Sequence, residues 1–485
     1  MNSNTPASRA WQHRAGELGD RLPQGFRIGT ATSAFQVEGG ARDGGRGESS
    51  WDAFTRQRGR ILDGQNASVS ADHIENLTDD VTLLRELGAD IYRFSFAWPR
   101  LQPDGRGSLN RAGRAFYDRL LDQLLGNGIS PMATLQHWDI PLALRGGWLN
   151  RDTALRFGDY AHQMGEVFGD RIDAWITVND PASVMINGYM IGVHAPGEAL
   201  LFDALPAAHH QLLGHGLAVQ GLRAADVRGQ IGITTLHTPV QASTDRERDR
   251  DAAQLYDLLH NRLFADPVLL GRYPDPAGVF ENDLRYLHEI DPDDLRTIHQ
   301  PLDFYGVDYT QPSRVAAAVR SPVTAPAGAP ADEIPAVQRL PFRLEAFREH
   351  PTTGFGWPNA PEYLPVVLTE LRDRYAEALP PVYVTGGASF PDRADVYGAV
   401  TDLARIDYLA EHLVAAVEAV APGGAAHGVD LRGYLVWSLL DSFEWAAGYT
   451  QRFGLVHVDF TDPARPRTPK LSYAWLQKVI EAREP

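Results

Sequence analysis

Short apolar runs rich in β-branched residues alternate along the chain with longer stretches whose apolar residues recur every three or four positions. The first pattern predicts buried strands, and the second predicts amphipathic helices. The predicted strands are Phe26–Ala34, Ile91–Trp98, Ser130–His137, Ala174–Asn179, Gln230–Leu236, Asp303–Tyr309, Pro381–Thr385 and Leu431–Leu439.

Amphipathic stretches follow these runs, and each is long enough to return the chain to the start of the next strand. The predicted helices are Asp79–Leu87, Ala112–Leu125, Thr153–Phe168, Leu205–Ala225, Asp251–Phe264, Pro361–Tyr375, Ala394–Val420 and Lys470–Ala482. Strands that alternate with helices favour parallel βα units. Eight such units predict an α/β fold with a single closed (β/α)₈ TIM barrel, and not an open doubly wound sheet.

The 485 residues are compatible with one barrel that carries insertions. We expect residues 1–20 to form a polar N-terminal segment and residues 21–485 to form the barrel. Two connections are long, at residues 37–71 and 311–357, and the second contains the low-complexity run Ala325–Ala331. Loops of this length are commonly lids or binding loops.

The formal charge of −17 disfavours nucleic acid and anionic membranes as partners. No run approaches the roughly 18 apolar residues of a membrane span, and the polar start is unlike a signal peptide. The chain has no cysteine, which excludes disulfides and thiolate metal sites. We therefore expect a cytoplasmic protein with a small-molecule ligand and no metal or organic cofactor. The oligomeric state is left open.

Polar and aromatic residues stand where the predicted strands end. In a barrel, these positions meet at one rim and line the active site. Amides, imidazoles, carboxylates and indoles are the groups that bind sugar hydroxyls and the apolar face of a sugar ring. The rim residues are Gln36, Arg93, His137, Trp138, Asn179, Asp180, His237, Asp308, Tyr309, Thr385, Gly386, Gly387 and Trp437, with Glu444 and Trp445 in the next loop.

Five segments resemble signatures of glycoside hydrolase family 1, whose members are mostly β-glucosidases and related β-glycosidases. They are FRIGTATSAFQVEG (26–39), YRFSFAWPRLQP (92–103), TLQHWDIP (134–141), GYMIGVHAPG (188–197) and VWSLLDSFEWAAGYTQRFGLVHVD (436–459). The resemblance extends from about residue 26 to residue 480. It implies a TIM barrel that acts on a glycoside or another sugar-bearing small molecule.

The resemblance also implies roles for individual residues. Trp437 matches the indole beneath the sugar ring, and Trp357 matches the aromatic residue on the leaving-group side. Trp138, which follows His137 in the third signature, belongs to the same binding set. The residues that match those holding the sugar are Gln36, His137, Asn179, Glu444 and Trp445.

The chain departs from the family pattern at both catalytic carboxylates. The family's nucleophile belongs to a Thr-Glu-Asn-Gly segment on the seventh strand, but here Thr385 is followed directly by Gly386 and Gly387. Asp180 replaces the general-acid glutamate on the fourth strand, which withdraws the carboxyl by about one methylene, and a misplacement of about 1 Å can cost roughly 10²-fold in rate. Standard retaining hydrolysis is therefore not expected.

Asp308 replaces the family's asparagine on the sixth strand and supplies a new carboxylate. Arg93 normally lies beside the nucleophile, and an unpaired buried charge is costly. We expect Asp308 to pair with Arg93, although an acidic group on the ligand could do so instead. The tyrosine that normally contacts the nucleophile corresponds to Tyr309 displaced by one position, or it is lost to Thr310. Asp392 is expected to belong to the loop scaffold.

Three functions remain compatible with these residues. In the first, Asp180 is the acid/base of non-standard glycoside chemistry, with Asp308 as second carboxylate. In the second, the barrel binds a sugar without turning it over. In the third, the site has been repurposed in specialised metabolism for elimination, transglycosylation or rearrangement. Asp180→Asn distinguishes catalysis from binding.

Overall fold

The computed structural model describes residues 6–275, 280–318 and 335–483. Eight parallel strands form a closed barrel in which each pairs with its neighbours in the chain and the last pairs with the first. The predicted single TIM barrel is confirmed. The strands are β1 (Arg27–Ala31), β2 (Ile91–Ser95), β3 (Ser130–Gln136), β4 (Ala174–Asn179), β5 (Gln230–Leu236), β6 (Phe304–Tyr309), β7 (Val382–Gly386) and β8 (Leu431–Trp437).

Helices surround the barrel and cover its outer face. The longer ones are Pro6–Gly19, Leu77–Leu87, Arg111–Gly126, Arg151–Phe168, Leu205–Ala224, Glu247–Asp257, Leu263–Leu270, Tyr363–Tyr375, Leu403–Val420 and Leu471–Ala482. Shorter helices are Ala34–Val37, Ser50–Thr55, Trp98–Leu101, Pro181–Ser183, Pro292–Ile298 and Ala336–Arg339, and π-helical turns span Val184–Met190 and Leu258–Arg262.

One helix prediction needs correction, and one helix was not predicted. The helix predicted from Ala394 begins at Leu403, because residues 394–400 close a turn in which Gly398 has a φ of +80°. The helix Pro6–Gly19 was not predicted. Most of its sequence is polar, but Ala15 and Leu18 are buried. They belong to the same apolar core as residues of the last helix, Leu471–Ala482.

The barrel interior explains why the polar rim residues converge. A layer of apolar side chains fills the centre, formed by Ile91, Met132, Ala174, Ile176, Phe304, Tyr383 and Leu435. Side chains alternate between the two faces of a strand, so residues two positions further along point to the same side. Arg93, Thr385 and Trp437 each lie two residues beyond a member of this layer. The sequence thus places them inside the barrel at its carboxyl end.

Both long connections contain regular structure near the mouth of the barrel. In the first, Ser49 and Asp52 form a capping box that begins the helix Ser50–Thr55, and Trp51 packs on Trp445 with ring centroids 4.5 Å apart. In the second, Ser313–Ala317 and Phe342–Glu345 form a small sheet with Val240–Ala242. The run Ala325–Ala331 lies outside the described residues. Within the described ranges, no helix is long and apolar enough to cross a membrane.

Candidate active site

A cavity of about 640 Å³ opens at the carboxyl ends of the strands. Its size is typical of small-molecule sites. Gln36 and Arg93 are buried and do not belong to its lining. The predicted residues that do line it are His137, Trp138, Asn179, Asp180, Asp308, Tyr309, Trp357, Gly386, Gly387, Trp437, Glu444 and Trp445.

Arg93 lies at the centre of a hydrogen-bond network beneath the cavity. Its Nη1 donates to Asp308 Oδ1 at 3.0 Å and to Thr385 Oγ1 at 2.7 Å. Its Nη2 donates to Asn179 Oδ1. The expected Arg93–Asp308 pair is therefore confirmed. Burial raises the pKa of Asp308, whereas the Arg93 guanidinium and its hydrogen bond act to lower it.

The end of β7 is closed to side chains at two successive positions. A Cβ at Gly386 would come closer than 3.0 Å to the Tyr434 hydroxyl, and a Cβ at Gly387 would do so to the Trp437 carbonyl oxygen. Real Cβ atoms do not show such contacts. At this strand end the cavity is therefore lined by backbone and by Thr385.

Asp180 follows β4 and faces the cavity. It has a left-handed backbone, with φ of 41° and ψ of 66°, and one carboxyl oxygen accepts a hydrogen bond from the Ser183 backbone N–H at 3.1 Å. Burial raises the pKa of Asp180 to about 7. The Ser183 contacts oppose the rise, and the Asp308 charge adds to it. A carboxyl with this pKa can carry or release a proton near neutral pH.

Glu444 lines the cavity and interacts with the buried Gln36. Gln36 Nε2 donates to the Phe443 carbonyl at 2.9 Å, and Glu444 Oε1 accepts from the Ser442 hydroxyl at 2.8 Å. Burial raises the pKa of Glu444 to about 8, against the hydrogen bonds from Ser442 and Gln36. Glu444 lines the cavity and can donate to ligand hydroxyl groups when protonated and accept from them when ionised.

Aromatic rings and an imidazole also line the cavity. His137 Nε2 lies 3.1 Å from Asn179 Nδ2. Burial lowers the pKa of His137, with a smaller effect from Arg93, so the ring is neutral and can accept this bond. The Trp437 ring lies 5.5 Å from the His137 ring, and Trp445 stacks on Trp138 at 4.4 Å. Flat apolar faces thus adjoin hydrogen-bonding groups, as sugar binding requires.

Three other candidates have contacts that limit what they can do. The Tyr309 hydroxyl donates to the Ala360 carbonyl at 2.8 Å, and no hydrogen bond is seen between it and Arg93. His237 Nε2 lies 3.0 Å from the hydroxyls of both Thr235 and Tyr305, away from the main cavity lining. Asp392 forms buried ion pairs with Arg405 and Lys470, which bears out its expected place in the loop scaffold.

Histidines on the helix Leu205–Ala224 are used in packing contacts. His209 Nε2 contacts Asp294 at 3.0 Å, and His215 Nδ1 contacts the Thr177 hydroxyl at 2.6 Å. Across residues 6–275, 280–318 and 335–483, no three histidine or carboxylate side chains are grouped so that they could hold a metal ion.

The sequence model of glycosyl hydrolase family 1 matches residues 18–485. This chain belongs to glycosyl hydrolase family 1. It is 42% identical over 471 residues to thermostable β-glucosidase B of Thermobispora bispora, covering 96% of this chain and 91% of that protein. It is 37% identical over 465 residues to β-glucosidase A of Thermotoga maritima, covering 95% and 98% of the two chains.

Solved structures of the family agree with this fold. The psychrophilic β-glucosidase BglU from Micrococcus antarcticus superposes with a TM-score of 0.86 at 41% identity, over 97% of this chain and 99% of that one. The virulence factor SghA in complex with its substrate analogue salicin superposes with a TM-score of 0.86 at 36% identity, over 97% and 98%. The chain is thus a β-glucosidase-like barrel of a family that acts on glycosides.

Sequence reasoning missed several residues of the family 1 site. Thr385 was placed at the rim but not recognised as a partner of Arg93, and the Ser183 N–H was not anticipated because a backbone donor leaves no signal in residue type. An apolar part of the cavity was also missed, since its members come from loops and from elements too short to show a clear pattern. These residues include Ile186, Ile191, Val337, Leu340, Phe342, Leu344, Phe355 and Phe453.

Proposed function

We propose that this protein hydrolyses β-glucosides or closely related β-glycosides, with Asp180 as the general acid and without a nucleophile on β7. The observation that carries the proposal is the buried Asp180 carboxyl at the cavity, whose pKa is raised to about 7. The sugar class is supported by the relatives, which are named β-glucosidases, and by the family's complexes with salicin and with glucoimidazole.

Asp308 is the second carboxylate of the proposed mechanism. Three carboxylates line the cavity in the described part of the chain, namely Asp180, Asp308 and Glu444. Glu444, supported by the buried Gln36, is assigned to the sugar hydroxyls together with His137 and Asn179, while Trp437 and Trp445 are assigned to the ring. Asp308 is then the base that is left to activate a water molecule. Its raised pKa supports this role, because a more basic carboxylate accepts a proton more readily.

The reaction is a single displacement. Asp180 donates its proton to the glycosidic oxygen as the bond from that oxygen to the anomeric carbon breaks. Water forms a new bond to the anomeric carbon from the opposite face, and Asp308 accepts the water proton. The configuration inverts, as in glycosidases whose carboxyls leave room for a water molecule. Proton exchange with solvent restores both groups.

Product NMR with an aryl β-glucoside, with and without azide, tests this function. We expect turnover without azide and initial release of α-glucose, and we expect Asp180→Asn to abolish it. Turnover only with azide, giving the α-glucosyl azide, would contradict a role for Asp308 and indicate a site that lacks just its nucleophile. Release of β-glucose would contradict inversion.

Sugar binding without turnover is the second candidate. It is favoured by the hydrogen bonds of Arg93, whose two terminal nitrogens donate to Asp308, Thr385 and Asn179. The Asp308 carboxylate would lose its ion pair with Arg93 if it moved toward a ligand, which disfavours a catalytic role for it. Binding of glucose or salicin with no product under either condition would favour this candidate. We further propose that residues 21–485 act as one domain, because the ends of strands β3 to β8 all supply residues to one cavity and Arg93 of β2 bonds to residues that line it.

A further inference from the structure

The chain uses lysine at only two positions. Among its 45 lysine and arginine residues, the two lysines are Lys470 and Lys478. The Lys470 side chain is fully buried, whereas that of Lys478 is 49% exposed. An ammonium group is a compact charge, and a guanidinium is a larger planar fork with five donors. A buried lysine in a chain that otherwise uses arginine indicates a site built for a small cation.

Lys470 lies immediately before the last helix, Leu471–Ala482, and its ammonium group joins two loops of the barrel mouth. Nζ donates to Asp392, in the loop after β7, and to Asp441 Oδ1 at 2.7 Å, in the loop after β8. Both carboxylates are buried. The Lys470 backbone N–H donates to the Leu455 carbonyl at 2.9 Å. Because breaking a buried ion pair strands a charge, Lys470 ties both loops to the start of the last helix.

Asp441 is held at both carboxyl oxygens. Oδ1 also accepts the Gly454 backbone N–H at 3.0 Å, and Oδ2 lies 3.3 Å from both Arg452 Nη1 and His457 Nδ1. Burial acts to raise the pKa of Asp441, but the Lys470 charge and the other partners lower it below its ordinary value. Asp441 is therefore a fixed negative charge in the loop after β8.

The same loop carries Glu444, which follows Asp441 by three residues. A second anchor of this loop is Gln36. The Phe443 N–H donates to the Gln36 carbonyl at 3.1 Å, and Gln36 Nε2 donates to the Phe443 carbonyl at 2.9 Å. The position of Glu444 thus depends on two anchors, namely Gln36 and, through Asp441, Lys470.

Asp441 also acts on Glu444 through its charge. Burial is the main cause that raises the pKa of Glu444 to about 8, the Ser442 hydrogen bond opposes the rise, and the Asp441 charge adds to it. Removing the negative charge of Asp441 should lower this pKa. Removing the positive charge of Lys470 should raise it, because Asp441 is then less neutralised. Two changes at one ion pair therefore act on Glu444 in opposite directions.

We propose that Lys470 is a positioning residue of the sugar site, which holds the Asp441 carboxylate in place and through it sets the position and the electrostatic environment of Glu444. Lys470 is buried and does not line the cavity, so it acts through Asp441 and not on the ligand. This inference rests on the proposed function, because Glu444 is assigned there to the sugar hydroxyls. It extends the sugar site to the last helix of the chain, whose start supplies the cation.

The affinity of the full chain for glucose, measured by tryptophan fluorescence from about pH 5 to about pH 10, tests this inference. Glucose has no group that titrates in this range, so any pH dependence belongs to the protein. Asp180, Asp308 and His137 line the same cavity as Glu444, and the step that belongs to Glu444 is identified by comparison with Glu444→Gln. We expect this step near pH 8 in the wild type.

Asp441→Asn and Lys470→Met are the decisive variants. Asp441→Asn should move the Glu444 step to lower pH by at least ~0.5 pH unit, and Lys470→Met should move it to higher pH by at least ~0.5 pH unit. A purely structural role predicts loss of affinity or stability in both variants without opposite shifts of the step. Asparagine has nearly the shape of aspartate and can still accept the Gly454 N–H, so Asp441→Asn carries the test alone if Lys470→Met does not fold.

Lys478→Met is the matched control, since Lys478 is exposed on the same helix and pairs with Glu481. It should leave the pH profile of glucose affinity unchanged. A step that persists in Glu444→Gln, that stays in place in Asp441→Asn, or that moves in the same direction in both variants would overturn the inference while leaving glucose binding intact. No glucose binding by the wild type at any pH would instead overturn the proposed sugar site, and the inference with it.

Discussion

The Tyr434 hydroxyl occupies the space into which a side chain at Gly386 would extend. Tyr434 is buried on β8, where it is the register partner of Val384, and Val436 is the partner of Gly386. Paired residues of parallel strands point to the same side, so a side chain at residue 386 would face the outer helices. Residue 386 therefore cannot deliver a carboxylate to the cavity without moving the strand end.

Gly386→Glu is expected to lower stability and to give no gain in glycoside hydrolysis. Overpacking a buried site costs about 1–3 kcal/mol or more, and the new carboxylate would point away from the sugar. The smaller change Gly386→Ala tests the cause: it should cost at least ~1 kcal/mol in the free energy of unfolding, and less in a Tyr434→Phe background. Denaturant titration of the wild type, Gly386→Ala, Tyr434→Phe and the double variant measures the coupling between the two positions. A fully tolerated Gly386→Ala would contradict the steric argument.

Asp180→Asn should reduce kcat for an aryl β-glucoside by at least ~10²-fold, the usual contribution of a positioned acid. The asparagine oxygen can still accept the Ser183 N–H, so glucose affinity should change little. Asp291→Asn is a matched control, because Asp291 likewise accepts a backbone N–H at a helix start but is exposed and remote from the cavity. Activity that survives Asp180→Asn would remove Asp180 from the mechanism.

The activity should fall as the pH rises through about 7. Burial raises the pKa of Asp180 to about 7, and a general acid must carry its proton to act. In Asp180→Asn this limb of the pH profile should be absent from any residual activity. A profile of kcat/KM that stays flat up to pH 9 would contradict the assignment.

The same pKa predicts a pH dependence of stability. The folded state holds the Asp180 proton between its unfolded value of 3.8 and about 7, so the contribution of Asp180 to the free energy of unfolding falls as the pH rises through that window and is constant above it. Glu444, with a pKa raised to about 8, acts in the same direction. Asp180→Asn should therefore gain stability relative to the wild type as the pH is raised from 4 to 7. Parallel pH profiles of stability for the two proteins would show that the pKa of Asp180 is not raised in the folded state.

Sequence reasoning reached the barrel because its signals are local. Each buried strand is an apolar run such as Gln230–Leu236, whose predicted and observed limits coincide. The Arg93–Asp308 pair could also be predicted, since a buried guanidinium needs an anion and the neighbouring strand end supplies one. The helix Pro6–Gly19 could not be predicted, because few of its residues are apolar. Its burial depends on the helix Leu471–Ala482 at the other end of the chain.

The apolar part of the cavity was beyond prediction for a related reason. Phe342 and Leu344 belong to a strand of four residues, too short for a clear alternation. That they line one cavity with Phe355 and Phe453 depends on how separate segments fold over the barrel mouth. Thr385 was visible in the sequence, but its hydrogen bond to Arg93 follows from strand register, which residue types alone do not fix. The residue types indicate what kind of chemistry the rim can perform. Which side chains bond to one another depends on where the fold places them.

A double-mutant cycle on Arg93 and Asp308 tests the charge pair that underlies the proposed mechanism. Removing one partner of a buried ion pair strands the other charge, so Asp308→Asn and Arg93→Met should each lower the free energy of unfolding by about 3 kcal/mol. The double variant should cost less than the sum of the two, because no unpaired charge remains.

The exposed pair Arg432–Asp430, with side chains 55% and 51% exposed, provides the control for this cycle. Asp430→Asn should change stability by less than about 1 kcal/mol, since exposed ion pairs contribute little. Asp308→Asn should in addition abolish water-dependent turnover, because the amide cannot accept a proton from water. If Asp308→Asn loses stability but keeps full turnover, Asp308 only neutralises Arg93, and the attacking water must be activated by another group.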